Sequence, residues 1–426
     1  MLKRRAGSVG ATSDNRCTGE SMHSDTEWTT TAITADIVRG AVELEHTERG
    51  VLPHRLPAWA RAEWADGQLA MAEAQPSGVR VVFGTSATAI ELDTVATRLG
   101  YADGPGRPPG VYDLRIDGRL AAQANAPGGD KLLIDMATGR TTRQPGPVGT
   151  VRFADLPAGF KNVEIWLPYN EITELSSLRT DAAVEPVRDG DRRVWLQYGS
   201  SISQGSNAGS PSTTWPALAA ARGRAELTNL GLSGSAMLDP FAARLIRDTP
   251  ADLIGLEIGI NLVNADVMRM RAFGPAVHGF LSTVREGHPT TPLLVISSIY
   301  CEIHENTPGP GAFDPEALSV GEMRFIATGD PADQAKGKLT LDSIRDELSR
   351  IVTQRAANDP HLFYLDGREL YGETDYRANP LPDRLHPDAA THQLIGERFA
   401  ERVFGADGVF GDGPVRVRRP AAVLSS

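Results

Sequence analysis

Apolar positions fall into two regimes along the chain, and the change lies near residue 190. Between residues 79 and 187 short apolar stretches alternate with polar ones and are rich in β-branched side chains. They fall at 79–83, 87–92, 110–116, 131–134, 149–153 and 163–168, punctuated by Gly, Pro and Asp. Many short strands at fairly regular spacing predict an all-β sandwich or jelly roll. From residue 193 onward the apolar runs are continuous, at 194–198, 227–232, 253–258, 293–299 and 362–365. Helix-like stretches separate or follow them at 215–222, 237–247, 267–286, 341–357 and 391–404. Continuous apolar strands alternating with helices predict a doubly wound, mostly parallel five-stranded α/β sheet covered on both faces. Ahead of both regimes, 33–48 and 51–63 carry a mixed pattern in which Asp36 is a candidate cap for a short helix.

Four segments follow: a disordered leader over 1–30, a β-rich accessory domain over 31–187, an α/β domain over 191–406, and a loosely packed tail over 407–426. Residues 301–338 interrupt the second domain with little periodicity and several Gly and Pro. A loop of that length in a compact domain is usually functional, and this one is expected to form a lid or substrate wall.

Composition narrows the possibilities only slightly. The chain has 426 residues, 41% hydrophobic and 23% charged, within the ordinary range for a globular protein. Its net charge of −11 offers no basic footprint for nucleic acid. Two cysteines, Cys17 and Cys301, do not make a disulfide framework. Residues 1–5 are basic, but 6–20 are small and polar without the apolar stretch of a secretion signal, and no run is long enough to span a membrane. A cytoplasmic protein is expected, and Met22 is an alternative start.

Candidate chemistry gathers where the predicted strands end. The first continuous strand stops in Gly199-Ser200-Ser201 before a helix-like segment. A serine on such a turn sits beside free backbone N–H groups, but it needs a positioned base. The second strand runs into Gly231-Leu232-Ser233-Gly234, where Gly234 can offer its N–H to an oxyanion. The third leads to Gly259-Ile260-Asn261, where the Asn261 amide can do the same. Near the C-terminal end stands Asp383-Arg384-Leu385-His386. An Asp three residues before a His can orient the imidazole while the far nitrogen faces the serine.

That series resembles the SGNH (GDSL-type) esterase superfamily over residues 191–406. Ser201 matches its nucleophile block, Gly234 and Asn261 its second and third blocks, and Asp383 with His386 its closing Asp-x-x-His. The preceding β region is similar to the accessory domain of carbohydrate-esterase-like members. The resemblance implies a flavodoxin-like SGNH hydrolase domain and an acyl-enzyme on Ser201. It assigns catalysis to Ser201, His386 and Asp383, and the oxyanion hole to Ser201, Gly234 and Asn261. It calls for no metal and no cofactor. The partner it implies is a small-molecule or carbohydrate ester, neither nucleic acid nor membrane. Two positions depart from the family pattern: Ser200 stands where Asp is usual, and Leu262 follows Asn261 where Asp is common. Hydrolysis of a short acyl ester, such as acetyl on a carbohydrate or polyol, is the first expectation; transfer of the acyl group to a metabolite alcohol is the alternative.

Other features are set aside. Cys301-Glu302-Ile303-His304-Glu305 has no tetrahedral zinc spacing, and His304 is a candidate substrate contact. Residues 199–205 lack the Lys of a phosphate loop. Asn264 and Asp266 read as loop and cap residues, His392 as a structural residue of the last helix, and Trp166 as core.

Overall fold

The computed structural model describes residues 27–63, 66–101, 108–135, 138, 140–188, 190 and 192–411. Cys17, Met22, most of the expected leader and the end of the expected tail lie outside the described residues.

Two sheets make up the N-terminal part. One has eight strands, centred on Ile90–Tyr101 paired antiparallel with Ile172–Thr180. The other has six, with Lys161–Trp166 between Arg80–Thr85 and Val111–Ile116. Alternation places Phe83, Leu92, Tyr112, Leu114, Val151, Ile165 and Leu175 in one core between them. No helix begins at Asp36. Ile37 and Val38 are both buried and β-branched, and Val38–Arg39 pairs with Arg80–Thr85 as a short strand. Thr29–Thr31, placed at the edge of the expected leader, pairs with the end of Ile172–Thr180.

The second part is a five-stranded parallel sheet: β1 (Val194–Gly199), β2 (Glu226–Gly231), β3 (Leu253–Ile258), β4 (Leu293–Ser297) and β5 (Leu362–Leu365). The spatial order is β2-β1-β3-β4-β5, all parallel. The order in which strands are added reverses between β1 and β3, which opens a crevice at their carboxyl ends where ligands bind in such folds. One face packs on the helices Pro240–Asp248, Met270–Gly287 and Leu341–Ala356; the other packs on Trp215–Arg222 and Ala389–Phe399. Trp195 anchors the second face, stacked on Phe399 at 5.1 Å.

Three details add to or change the expectation. The helix expected from 237 begins at Pro240, because Leu238 holds a positive φ of 62° that no α-helix accepts. The long insertion is ordered, with a hairpin of Gly311–Phe313 and Phe325–Ala327. The expected tail is anchored where it begins: Phe410 is fully buried against Phe404, and the Arg193 guanidinium donates to its carbonyl at 2.5 Å.

Candidate active site

β1 ends at Gly199, and a single helical turn, Ser201–Gln204, follows directly. Ser200 caps it, its Oγ accepting from the Ile202 N–H at 3.2 Å. Ser201 therefore occupies the first helical position, whose N–H a helix leaves without an internal acceptor.

His386 reaches this turn from 185 residues away, its Nε2 2.9 Å from Ser201 Oγ. Its Nδ1 lies 2.7 Å from Asp383 Oδ2. An ionised carboxylate can only accept, so Nδ1 carries the proton and Nε2 is left to accept from the Ser201 hydroxyl. Arg384 adopts a positive φ of 67° that folds the Asp-x-x-His segment back on itself. The backbone N–H groups of Leu385 and His386 then donate to Asp383 Oδ1 at 2.9 and 2.6 Å. Burial alone would raise the Asp383 carboxyl, but the His386 hydrogen bond, its charge and these N–H groups outweigh it and hold the pKa below the ordinary range. Phe325 of the insertion meets the His386 ring edge-on at 5.6 Å, and its N–H donates to the Asp383 carbonyl.

Gly234 sits in a short 3-10 turn, Ser233–Ser235, after β2. Its α-carbon faces the carboxamide of Gln68, from the N-terminal helix Gly67–Ala74, which fills the space a Cβ would need. Asn261 follows β3 across Gly259, whose φ of 143° is open to glycine alone. The Asn261 Oδ1 accepts from the Ala236 N–H at 3.0 Å, which turns the Nδ2 donor the other way. The Leu232 N–H donates to the Gly199 carbonyl at 2.8 Å and ties the second strand end to the first. Leu262, the departure after Asn261, is fully buried in the core.

Sequence reasoning missed three groups that hold the site. Glu257, at the end of β3, accepts from the Ser200 N–H at 2.8 Å and from the Ser200 and Ser203 hydroxyls at 2.9 Å. An acidic residue inside an otherwise apolar strand was the available signal. Asn207 donates to Asp383 Oδ2 at 3.3 Å. The third group comes from the N-terminal part. Arg55 is wholly buried and donates to the carbonyls of Asn229, Gly231 and Ala72 and to Gln204 Oε1. Ser77 Oγ donates to the Gln204 carbonyl at 2.5 Å, and Asn229 Nδ2 bonds both Ser77 and the Ser203 carbonyl.

Other candidates fall outside the chemistry. His304, a candidate substrate contact, is instead fully buried, with its ring nitrogens on Asn264 Oδ1 at 2.8 Å and the Thr307 carbonyl at 3.1 Å. Cys301 is buried, and its thiol pKa is pushed up by desolvation. Asp266 pairs with Arg269 and Lys338 and caps no helix. His392 is structural, accepting from the Trp215 N–H and facing the Ser206 carbonyl. Trp166 is core, with Arg80 stacked over its ring. Among the described residues, no group of three or more His, Cys, Asp or Glu is placed to hold a metal ion, and no helix is long and apolar enough to cross a membrane.

Residues 192–307 match the GDSL-like lipase/acylhydrolase family, and residues 37–173 match the family of the SsfX3 N-terminal domain. A comparison with curated proteins gave no match. Among solved structures, the chain is similar to the salicylyl-acyltransferase SsfX3 from a tetracycline biosynthetic pathway, at 27% identity and a TM-score of 0.71, over 87% of this chain and 95% of that one. It is similar in fold to a protein from Bacteroides ovatus described as a GDSL-like lipase, at 18% identity and a TM-score of 0.60, over 88% and 95% of the two chains. It also shares the fold of a family two carbohydrate esterase from Clostridium thermocellum, at 14% identity and a TM-score of 0.51, over 77% and 92%. The α/β part of the chain thus resembles the GDSL-like lipase/acylhydrolase family and the part before it the SsfX3 N-terminal domain, and together these likenesses support an SGNH-type, two-domain, esterase-like branch and indicate an enzyme of acyl hydrolysis or acyl transfer.

Proposed function

We propose that the protein forms an acyl-enzyme on Ser201 and cleaves a carboxylic ester. The observation that carries this is the line of hydrogen bonds from Asp383 through His386 to the Ser201 hydroxyl. His386 Nε2 takes the Ser201 proton as Oγ attacks the ester carbonyl, and Asp383 steadies the imidazolium that forms. The Ser201 N–H, the Gly234 N–H and Asn261 Nδ2 receive the oxyanion. His386 returns the proton to the departing alcohol, and the same ring then deprotonates the molecule that takes the acyl group. With water as acceptor the result is hydrolysis of a short acyl ester, such as acetyl on a carbohydrate or small polyol.

A second acceptor has specific support. The acyltransferase named above is 27% identical over both parts of the chain, and residues 37–173 match the N-terminal domain of that type. An alcohol in place of water would yield a new ester.

A panel of p-nitrophenyl esters of increasing chain length tests the common step. Wild-type protein is expected to release nitrophenol from short esters, and Ser201→Ala to lose about 10⁴-fold or more in kcat. Equal release by both proteins would end this assignment. Adding an acceptor alcohol separates the two outcomes: a new ester that grows as free acid falls marks transfer, and unchanged free acid with no new ester marks hydrolysis.

A further inference from the structure

Glu257 is a buried carboxyl for which the mechanism above has no use. It lies on the sheet face that packs on Trp215–Arg222 and Ala389–Phe399, in a pocket lined by Ile202, Trp215, Ile296, Ile299 and Leu370. Burying an unpaired carboxyl among such side chains is costly, and desolvation raises its pKa accordingly. Its hydrogen bonds run to the nucleophile turn: the Ser200 N–H, the Ser200 hydroxyl and the Ser203 hydroxyl.

We propose that Glu257 is a positioning residue for the nucleophile, a clasp that fixes the turn carrying Ser201. The proposal rests on Ser201 being the nucleophile. Its geometry is selective. Glu257 takes the N–H that precedes Ser201, and Ser200 Oγ, itself held by Glu257, takes the N–H of Ile202 that follows. The N–H groups on either side of Ser201 are thus committed, and the Ser201 N–H between them is held in place to meet an oxyanion. The Ser203 bond pins the far side of the same single turn, which is too short to hold itself in helical form. Parallel pairing of β1 with β3 up to Tyr198 and Leu256 brings Glu257 level with Gly199, and a side chain on Gly199 would meet Glu257 Oε2.

Glu257→Gln, Ser200→Ala and the double variant test the clasp, with kcat and KM for a small p-nitrophenyl ester and the rate of Ser201 labelling by a fluorophosphonate. Each single variant is expected to lose about tenfold in kcat and labelling rate while KM stays within about threefold, because both side chains are buried. The double variant is expected to be at most about threefold worse than the poorer single, since both break one linkage. A Glu257→Gln protein within twofold of wild type, a loss confined to KM, or fully multiplied losses in the double would each overturn the clasp. Where Glu257→Gln does not fold, Ser200→Ala and Ser203→Ala decide: a fall in kcat at constant KM supports the clasp, and unchanged kcat overturns it. Wild-type protein that is neither active nor labelled would bring down the nucleophile assignment and the clasp with it, whereas active wild type with indifferent variants removes the clasp alone.

Discussion

A carboxamide can present either its oxygen or its nitrogen to a neighbour, and at position 261 the Ala236 backbone makes the choice. Its N–H engages Asn261 Oδ1, so the donor half of the amide is available to an oxyanion. Asn261→Ala is expected to lower kcat by about 100-fold with little change in KM, the effect of losing one such donor; steady-state kinetics on a short ester checks it. His392 shows the opposite use of a histidine. Burial is the main cause that pushes its pKa down to about 4, aided by the nearby His386. The ring therefore charges more easily unfolded, near 6.5, than folded, so stability falls as pH drops from about 6.5 to about 4 and then levels off. That gap corresponds to roughly 3 kcal/mol. Urea denaturation across this range should show the decline, and His392→Gln should flatten it.

Single elements carry geometry that no residue holds alone. The hairpin of Gly311–Phe313 and Phe325–Ala327 turns an aperiodic stretch into a wall beside the reacting groups, with Phe313 4.9 Å from Phe325 and Phe325 against His386. Phe325→Ala is expected to loosen the imidazole and reduce kcat about tenfold, with a small change in melting temperature because Phe325 is only half-buried. Comparing kcat with thermal unfolding on the same preparation tests this. The end of β1 works likewise. Gly199 has no side chain, so the Glu257 carboxyl and Ser203 can close around the turn.

Across the whole molecule, the two parts are joined by buried polar bonds beneath the catalytic rim. Arg55 and Ser77 of the N-terminal part satisfy carbonyls of the nucleophile turn and of β2. Leu56, Ala60 and Leu69 complete the hydrophobic core of the parallel-sheet domain. Arg55→Met would strand several of these carbonyls, and a loss of about 3 kcal/mol in urea unfolding is expected. Removing residues 1–187 would expose the same groups together, and the remaining chain is expected to show no Ser201-dependent ester cleavage; full activity of the truncated protein on p-nitrophenyl acetate would refute this structural coupling.

Much of this protein could be read before any coordinates. Continuous apolar strands alternating with helices marked a covered parallel sheet, because burial on both faces leaves no polar alternation. Ser201, Gly234 and Asn261 stood out because each follows a strand whose type the apolar pattern reveals, and Asp383 with His386 because of their own spacing. The missed features have a different origin. Glu257 meets Ser203 across 54 positions and Arg55 meets Gly231 across 176, and a local pattern does not say which partners will meet. The hairpin at 311–327 likewise meets the His386 segment, the Phe325 N–H bonding the Asp383 carbonyl. Periodicity follows from which side of an element meets water and is written residue by residue; the pairing of buried polar groups follows from which chain ends meet, and only the folded chain decides that.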